Sequence, residues 1–274
     1  MLRLAGRAMI VVAVIVFGII PLSMGDIENE NGLITYTLAD REFLFLGQAS
    51  QDNYAALYRT LVFCFFVTTI QFVLGLVVAL LVNQRLKGTN FFRTIYFMPV
   101  ILGAVIQGLI WSLFLYPLGG PAAQLLGLFG ARSEFLGGPP PEAFAWVIVV
   151  QIWANLGTTM MIFISGLQTI PKELYEAAQI DGAGWWHRLR HVTWPMLSPT
   201  TFFIFVMSII SGFQGGFTAI HILTQGGPAG STTTLFYHIY QHGFQWFKMG
   251  RAASLAIILF AVILVVTLIN WRYG

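Results

Sequence analysis

Residues 60–82 read TLVFCFFVTTIQFVLGLVVALLV, with no charged side chain in the run. A helix that crosses the hydrocarbon core of a bilayer needs about 20 mostly apolar residues, and this stretch is long enough. In lipid every backbone N–H and C=O must find a partner within the protein, which leaves only helices and closed barrels. Barrel strands alternate apolar with polar residues, whereas this run is continuous, so it is read as a transmembrane helix. Five more stretches pass the same test, at residues 8–24, 92–115, 144–167, 200–223 and 252–271. The expected fold is all-α and integral to the membrane, with six spanning helices in one domain over residues 1–274.

The composition agrees. Of 274 residues, 57% are hydrophobic and 9% charged, with a mean hydropathy of +0.77. Soluble domains carry roughly 25% charged residues, so most soluble-enzyme readings are excluded, together with disorder and collagen. The single Cys64 excludes an intrachain disulfide and a multi-cysteine metal site. A net charge of +3, scattered along the chain, gives no footprint for nucleic acid.

The first stretch is the shortest. Arg3 and Arg7 precede it, a pattern that also fits a signal peptide. No small-x-small cleavage site stands out after Pro21. Lys and Arg placement sets the orientation. Arg3, Arg7, Arg85, Lys87, Arg93, Lys172, Arg188, Arg190 and Arg272 fall on one side, in the shorter segments. Arg41, Arg59, Arg132, Lys248 and Arg251 fall on the other. The first side is expected to be cytoplasmic, with both termini there.

Three outer segments follow. The first, at residues 25–59, is acidic. The second contains a short apolar helix at residues 122–129 between Gly and Pro turns. In the third, Gly226-Gly227-Pro228 reads as a tight turn. The aromatics after it, Phe236, Tyr237, Tyr240, Phe244, Trp246 and Phe247, are expected to form a belt at the membrane interface, with docking of an external partner as the alternative.

Signatures of catalysis are missing. The chain has no GxxxxGK[ST] phosphate cradle and no HExxH. His187 and His191 stand four apart without an obvious third ligand, and Arg188 and Arg190 crowd them, so no metal is assigned. Ser208, Ser211 and His221 share the fifth stretch, but no GxSx turn surrounds either serine. No catalytic residue is assigned.

The sizeable inner segment, residues 168–199, contains TIPKELYEAAQIDGAGWWHRLRHVTWPMLSP. Pro171 suits a first helical turn. Residues 172–181 form an expected short helix, which Gly182-Ala183-Gly184 ends. A second helix, at residues 185–192, places Trp185, Trp186, Leu189 and Val192 on one side, an interfacial pattern.

The run Glu176-Ala177-Ala178, three residues, Gly182, nine residues, Val192, one residue, then Trp194-Pro195 resembles the EAA motif of binding-protein-dependent ABC importer permeases. Asp181-Gly182-Ala183 fits the same form. Trp194 departs from the usual leucine and keeps its bulk and apolarity. FFRTIYFMP at residues 91–99, TQGGP at 224–228 and GRAASLAIIL at 250–259 are similar to the carbohydrate branch, the maltose and glycerol-3-phosphate type. The family-like core runs over about residues 56–271.

The resemblance implies a type I importer, MetI-like fold in a bacterial cytoplasmic membrane. It implies a second homologous permease, a dimer of ATP-binding subunits inside and a solute-binding protein outside. This chain itself would bind no cofactor, since ATP and Mg²⁺ belong to the ATPase. Glu176, Ala177, Ala178, Asp181 and Gly182 would then form the coupling segment. Small alanines let a partner approach closely, and Glu176 accepts charge-assisted hydrogen bonds.

Polar groups inside a membrane usually face protein or a wet cavity. Gln151, Asn155 and Thr158, four and three residues apart, share one helix face. With Ser208, Ser211, Gly212 and Gly215 they are the expected substrate pathway, and Gln107 lies in the third stretch. Amides and hydroxyls suit sugar hydroxyls, which need donors and acceptors together, and Trp153, Phe213 and Phe217 offer stacking faces. Interhelical packing is the competing role for any one of them. In some heterodimeric relatives one permease holds nearly all the substrate contacts, so this chain is either that half or the passive one. Rival functions are import of another solute such as an amino acid, an ion-coupled carrier and an intramembrane enzyme. The carrier would need carboxylates within the spans, and none is present.

Overall fold

The computed structural model describes residues 48–84, 88–130 and 134–273. The first apolar stretch, most of the acidic segment after it, Arg85, Lys87 and Arg132 lie outside the described residues. So does that part of the orientation argument.

Every regular element among the described residues is helical. Helix α1 (Gln48–Val82) carries the run that opened the sequence reading. Helix α2 (Thr89–Ile101) and α3 (Ala104–Phe114) follow, then the short α4 (Pro121–Leu128). Helix α5 (Pro140–Gln168) starts with Pro140 and Pro141 in its first turn, where a missing N–H costs nothing, and with Glu142 against the positive end of the helix dipole. Short helices α6 (Lys172–Ile180), α7 (Trp185–Arg188) and α8 (Trp194–Met196) make up the inner segment. Helix α9 (Ser198–Phe213) continues into α10 (Phe217–Ala219), and α11 (Leu235–Tyr240) leads to α12 (Met249–Tyr273).

Among the described residues, four segments are long and apolar enough to cross a bilayer: Asp52–Val82, Pro140–Gln168, Ser198–Thr224 and Met249–Asn270. The third apolar stretch corrects the expectation of one straight crossing over residues 92–115. It is two helices bent by 103°. Pro99 lacks the N–H that would bond back one turn. Leu102 then turns extended (φ −72°, ψ 132°), and the chain restarts at Ala104.

Helix α5 is the hub. It packs on α1 and α2, and α9 packs on α1 from another side. Small residues set these distances, as is usual where lipid gives helices no hydrophobic reason to associate. A Cβ at Gly157 would collide with the Tyr96 carbonyl and come within 3.0 Å of Phe97 Cα, so α2 lies directly on α5 there. A Cβ at Gly212 would sit 2.8 Å from Cys64 Sγ, fixing α9 against α1.

Two core clusters mark the ends of the bundle. At one end Ala79, Val82, Phe163, Ile170 and Leu197 pack beneath α6. At the other, Ala56, Leu61, Leu235 and Leu255 join α1, α11 and α12. The aromatic segment after Gly226 corrects the expectation of an interface belt. Tyr237 is wholly buried, Phe236 and Tyr240 are half-buried, and only Phe244, Trp246 and Phe247 are exposed. Tyr237 packs with Phe217 and Tyr240, so α11 plugs the bundle and does not lie on its rim.

Candidate functional site

A cavity of about 630 Å³ opens where α2 breaks from α3, between α5 and the α9–α10 junction. Four residues of the expected pathway line it: Gln151, Asn155, Thr158 and Ser211. Gln107, Gln214, Thr218 and Phe217 join them. No charged side chain is among the lining residues. The wall offers amides and hydroxyls, which donate and accept.

The polar groups are held from behind. Asn155 Nδ2 donates to the Gln151 carbonyl at 3.0 Å, leaving its amide oxygen for the cavity side of the helix. Thr159 Oγ1 donates to the Asn155 carbonyl at 3.3 Å and accepts from Gln71 Nε2 at 2.6 Å, which ties this part of α5 to α1. Gln107 Nε2 donates to the carbonyls of Pro99 at 2.6 Å and Leu102 at 3.0 Å. The Pro99 carbonyl also accepts from Leu102 N at 3.1 Å, so the amide adds a second bond there and serves the Leu102 carbonyl, which the break leaves without a backbone donor.

Ser208, Gly212 and Gly215 do not line the cavity. The Ser208 carbonyl accepts from Thr68 Oγ1 at 3.3 Å and the side chain is buried. Gly212 meets Cys64. Gly215 and Gly216 have φ of +64° and +60°, in the left-handed region that glycine enters without penalty, and they make the step from α9 to α10. Of the expected stacking residues, Phe217 lines the cavity, Phe213 is buried in the core, and Trp153 packs edge-on against Trp111 at 5.6 Å. Thr218 escaped the sequence reading, and Phe236 was expected in an interface belt and not at this cavity. Their only signal there was proximity to the glycine pair and to Thr234.

The second candidate region is α6. None of its residues is buried, and Glu176 and Ala177 face solvent. Its end is a Schellman motif. Ala183 N donates to the Ala178 carbonyl at 2.8 Å, Gly182 N to the Gln179 carbonyl at 3.0 Å, and Gly182 has φ +75°. Asp181 is the residue at the cap. Beyond the turn Trp185 and Trp186 are 61% and 63% exposed, and Ile180 is 88% exposed.

One side chain ties α6 to the bundle through a polar contact. Tyr175 Oη and Thr193 Oγ1 lie 2.9 Å apart, with Thr193 buried and Tyr175 packed on the cluster around Leu197. Trp194 meets Phe72 of α1 at 6.3 Å, edge to face, and Phe72 meets Phe163 of α5 at 5.3 Å. The residue that departs from the usual leucine thus touches the spanning helices, beside Tyr175, Val192 and Leu197. His187 and His191 stack at 4.5 Å on the exposed surface, and His191 Nδ1 lies 3.1 Å from the His187 carbonyl.

A family model described as "Binding-protein-dependent transport system inner membrane component" matches residues 71–273. The chain is 31% identical over 231 residues to the sn-glycerol-3-phosphate transport system permease protein UgpA of Agrobacterium fabrum, covering 84% of this chain and 78% of that protein. The UgpA of Yersinia pestis is 31% identical over 228 residues, covering 82% and 77%. Among solved structures, a bacterial alginate ABC transporter in complex with an alginate pentasaccharide-bound periplasmic protein has a similar chain, with TM-score 0.75, 25% identity and coverage of 83% and 78%. An amino acid ABC transporter shares the fold at TM-score 0.54 and 16% identity, covering 82% and 93%.

Proposed function

Because the chain belongs to the family of binding-protein-dependent transport system inner membrane components, we propose that its uncharged cavity is the solute path of an ATP-driven importer. The protein is a multi-pass permease of the inner membrane and not an enzyme. The solute in this reading is a sugar or sugar-like molecule. The observation that carries it is the wall of Gln151, Asn155, Thr158, Ser211 and Gln214, with Phe217 beside them and no charge among the lining. Hydroxyl-rich solutes exchange water for such groups at little cost, because each lost hydrogen bond to water is replaced. The relatives are named for glycerol-3-phosphate and alginate, both anionic. The uncharged lining here favours a neutral sugar. It also speaks against an amino acid, which carries two charges that such a wall leaves unpaired.

The remaining parts follow the family pattern. The chain acts as one permease domain with a second homologous permease, two ATP-binding subunits on the α6 side and a solute-binding protein on the other. Both termini lie with α6 on the cytoplasmic side. The chain needs no cofactor for transport, since ATP and Mg²⁺ are bound by the ATPase. Glu176, Ala177 and Ala178 meet that ATPase, and Asp181 with Gly182 sets the angle of the lever. The absence of buried residues along α6 supports this, because a helix so uncovered has its packing partner elsewhere.

The test is uptake by the assembled complex in proteoliposomes. Asn155→Ala is expected to raise KM for a neutral sugar roughly 3- to 10-fold, about the worth of one neutral hydrogen bond, with subunit composition unchanged. Unchanged uptake kinetics would assign Asn155 to packing. Competition by phosphorylated or uronic sugars as strong as by neutral ones would remove the charge argument.

A further inference from the structure

At the end of the bundle opposite α6, two histidines and an asparagine converge in a way that hydrogen bonding alone does not satisfy. His238 Nε2 lies 3.1 Å from Asn53 Oδ1 and 3.2 Å from His242 Nε2. All three residues are nearly fully buried, at 7%, 2% and 5% exposure. An imidazole nitrogen has one in-plane site, holding either a proton or a lone pair. If His238 Nε2 carries a proton, that single proton must serve both neighbours. If it carries a lone pair, it can accept from His242 Nε2–H but faces the Asn53 oxygen lone pair to lone pair. Either assignment leaves one of the two short contacts poorly made, in a place where unmade polar contacts are expensive.

A cation at the meeting point removes the conflict. In a tetrahedral site with metal–nitrogen bonds of about 2.0–2.1 Å, neighbouring ligand atoms sit roughly 3.3 Å apart, close to both observed spacings. We propose that His238, His242 and Asn53 form a site for a borderline divalent transition cation, of the Zn²⁺ or Ni²⁺ class. The site opens on a pocket of about 510 Å³ bordered also by Asp52, Trp246, Lys248 and Arg251, which leaves room for water in the remaining position. Trp246 stands edge-on to His242 at 4.7 Å and to His238 at 6.1 Å, and fixes both rings.

Lys248 and Arg251 repel any cation, so the hold depends on imidazole lone pairs and not on net charge. Hard cations that prefer oxygen, Mg²⁺ and Ca²⁺, are excluded by that donor set. The sequence reading assigned no metal because it weighed His187 and His191, a pair with no third ligand. It had no means of bringing Asn53 to His238 across the fold.

The experiment uses the full chain in its assembled membrane complex, purified through a tag without histidine. Zn²⁺ is titrated against a chromophoric chelator. The expected result is one Zn²⁺ per copy of this chain, beyond any bound by a complex carrying H238Q and H242Q together. Each single change is expected to weaken that site by more than the roughly 10- to 100-fold that follows loss of a mere outer-shell partner of a metal ligand. N53D, which adds a charge to a ligand, is expected to tighten it, a direction that misfolding does not produce. Co²⁺ in the same site is expected to show the intense visible bands of a four-coordinate ion. An unchanged Zn²⁺ count in the double variant overturns the proposal. So does the absence of saturable Zn²⁺ binding, equal competition by Mg²⁺, or loss of the site in H187A/H191A in place of the double variant.

Discussion

The two ends of the bundle are built on opposite plans. At one end α6 stands clear of the core, closes its own carbonyls with a Schellman turn and touches the bundle chiefly through Tyr175 and Thr193. At the other end α11 is driven inward, with Tyr237 fully buried and His238 and His242 inside the packing. A segment that stands clear of its neighbours must keep its shape without their help, which α6 does with local hydrogen bonds, as the proposed coupling role requires. A segment that closes the bundle takes its shape from those neighbours. Substitutions at the two ends should therefore differ in what they damage.

The contrast breaks first at Tyr237. Tyr237→Ala removes a fully buried aromatic, and losses of this kind are about 3–5 kcal/mol. The thermal midpoint of the purified complex is expected to fall sharply. A fall no larger than that caused by changes in α6 would show that α11 does not plug the bundle. Gly182→Val comes next. It places a branched residue at φ +75° with open space around it, so the cost is backbone strain alone, about 1–2 kcal/mol. That is confined to the end of α6, and ATP turnover should lose its link to uptake before the complex loses its midpoint. Tyr175→Phe removes one hydroxyl contact worth about 1 kcal/mol. Its effect is sharpest in the ratio of ATP hydrolysed to solute moved, and an unaltered ratio would mean that aromatic packing alone transmits. Smallest in stability is Ala177→Trp, on the exposed face of α6, which should leave the midpoint unmoved while abolishing uptake. Normal uptake with that bulk on α6 would place the ATPase contact elsewhere.

The outer histidines sharpen the contrast through pH. Burial, with His238, Arg251 and Lys248 nearby, depresses His242 to about 4, and burial lowers His238 as well. A histidine depressed in the folded state is more easily protonated once unfolded, so its neutral form contributes stability above its unfolded value near 6.5. That contribution is lost as pH falls from about 6.5 to 4. In the complex stripped of metal by a chelator, the α11 end should soften over that window, seen as faster amide exchange, while α6 does not change.

Which parts were legible in sequence follows from what each feature depends on. Four of the six expected spans were readable because exclusion of charge from lipid acts residue by residue, as in residues 60–82. The end of α6 was readable because a left-handed turn calls for glycine at one position, Gly182. The break at Leu102 was not, since Pro99 is tolerated inside α2 and leucine says nothing of extended backbone. Ser208 and Ser211 are three apart on one helix, yet one packs and the other lines the cavity. Composition gives a polar face, and only the rotation of α9 against α1 decides which residue of that face meets open space. Tyr237 failed for a related reason, because an aromatic suits a lipid headgroup layer and a protein interior equally.

A single glutamine amide reaches both carbonyls at the α2–α3 elbow, so the wall of the cavity is sealed by the very chain that interrupts it. Gln107 is in effect a stopper made from the next helix. Exchange it for leucine and the Pro99 oxygen keeps its bond from Leu102 N, while the Leu102 oxygen is bare and the elbow must admit water to it, which turns a closed boundary into a wet one.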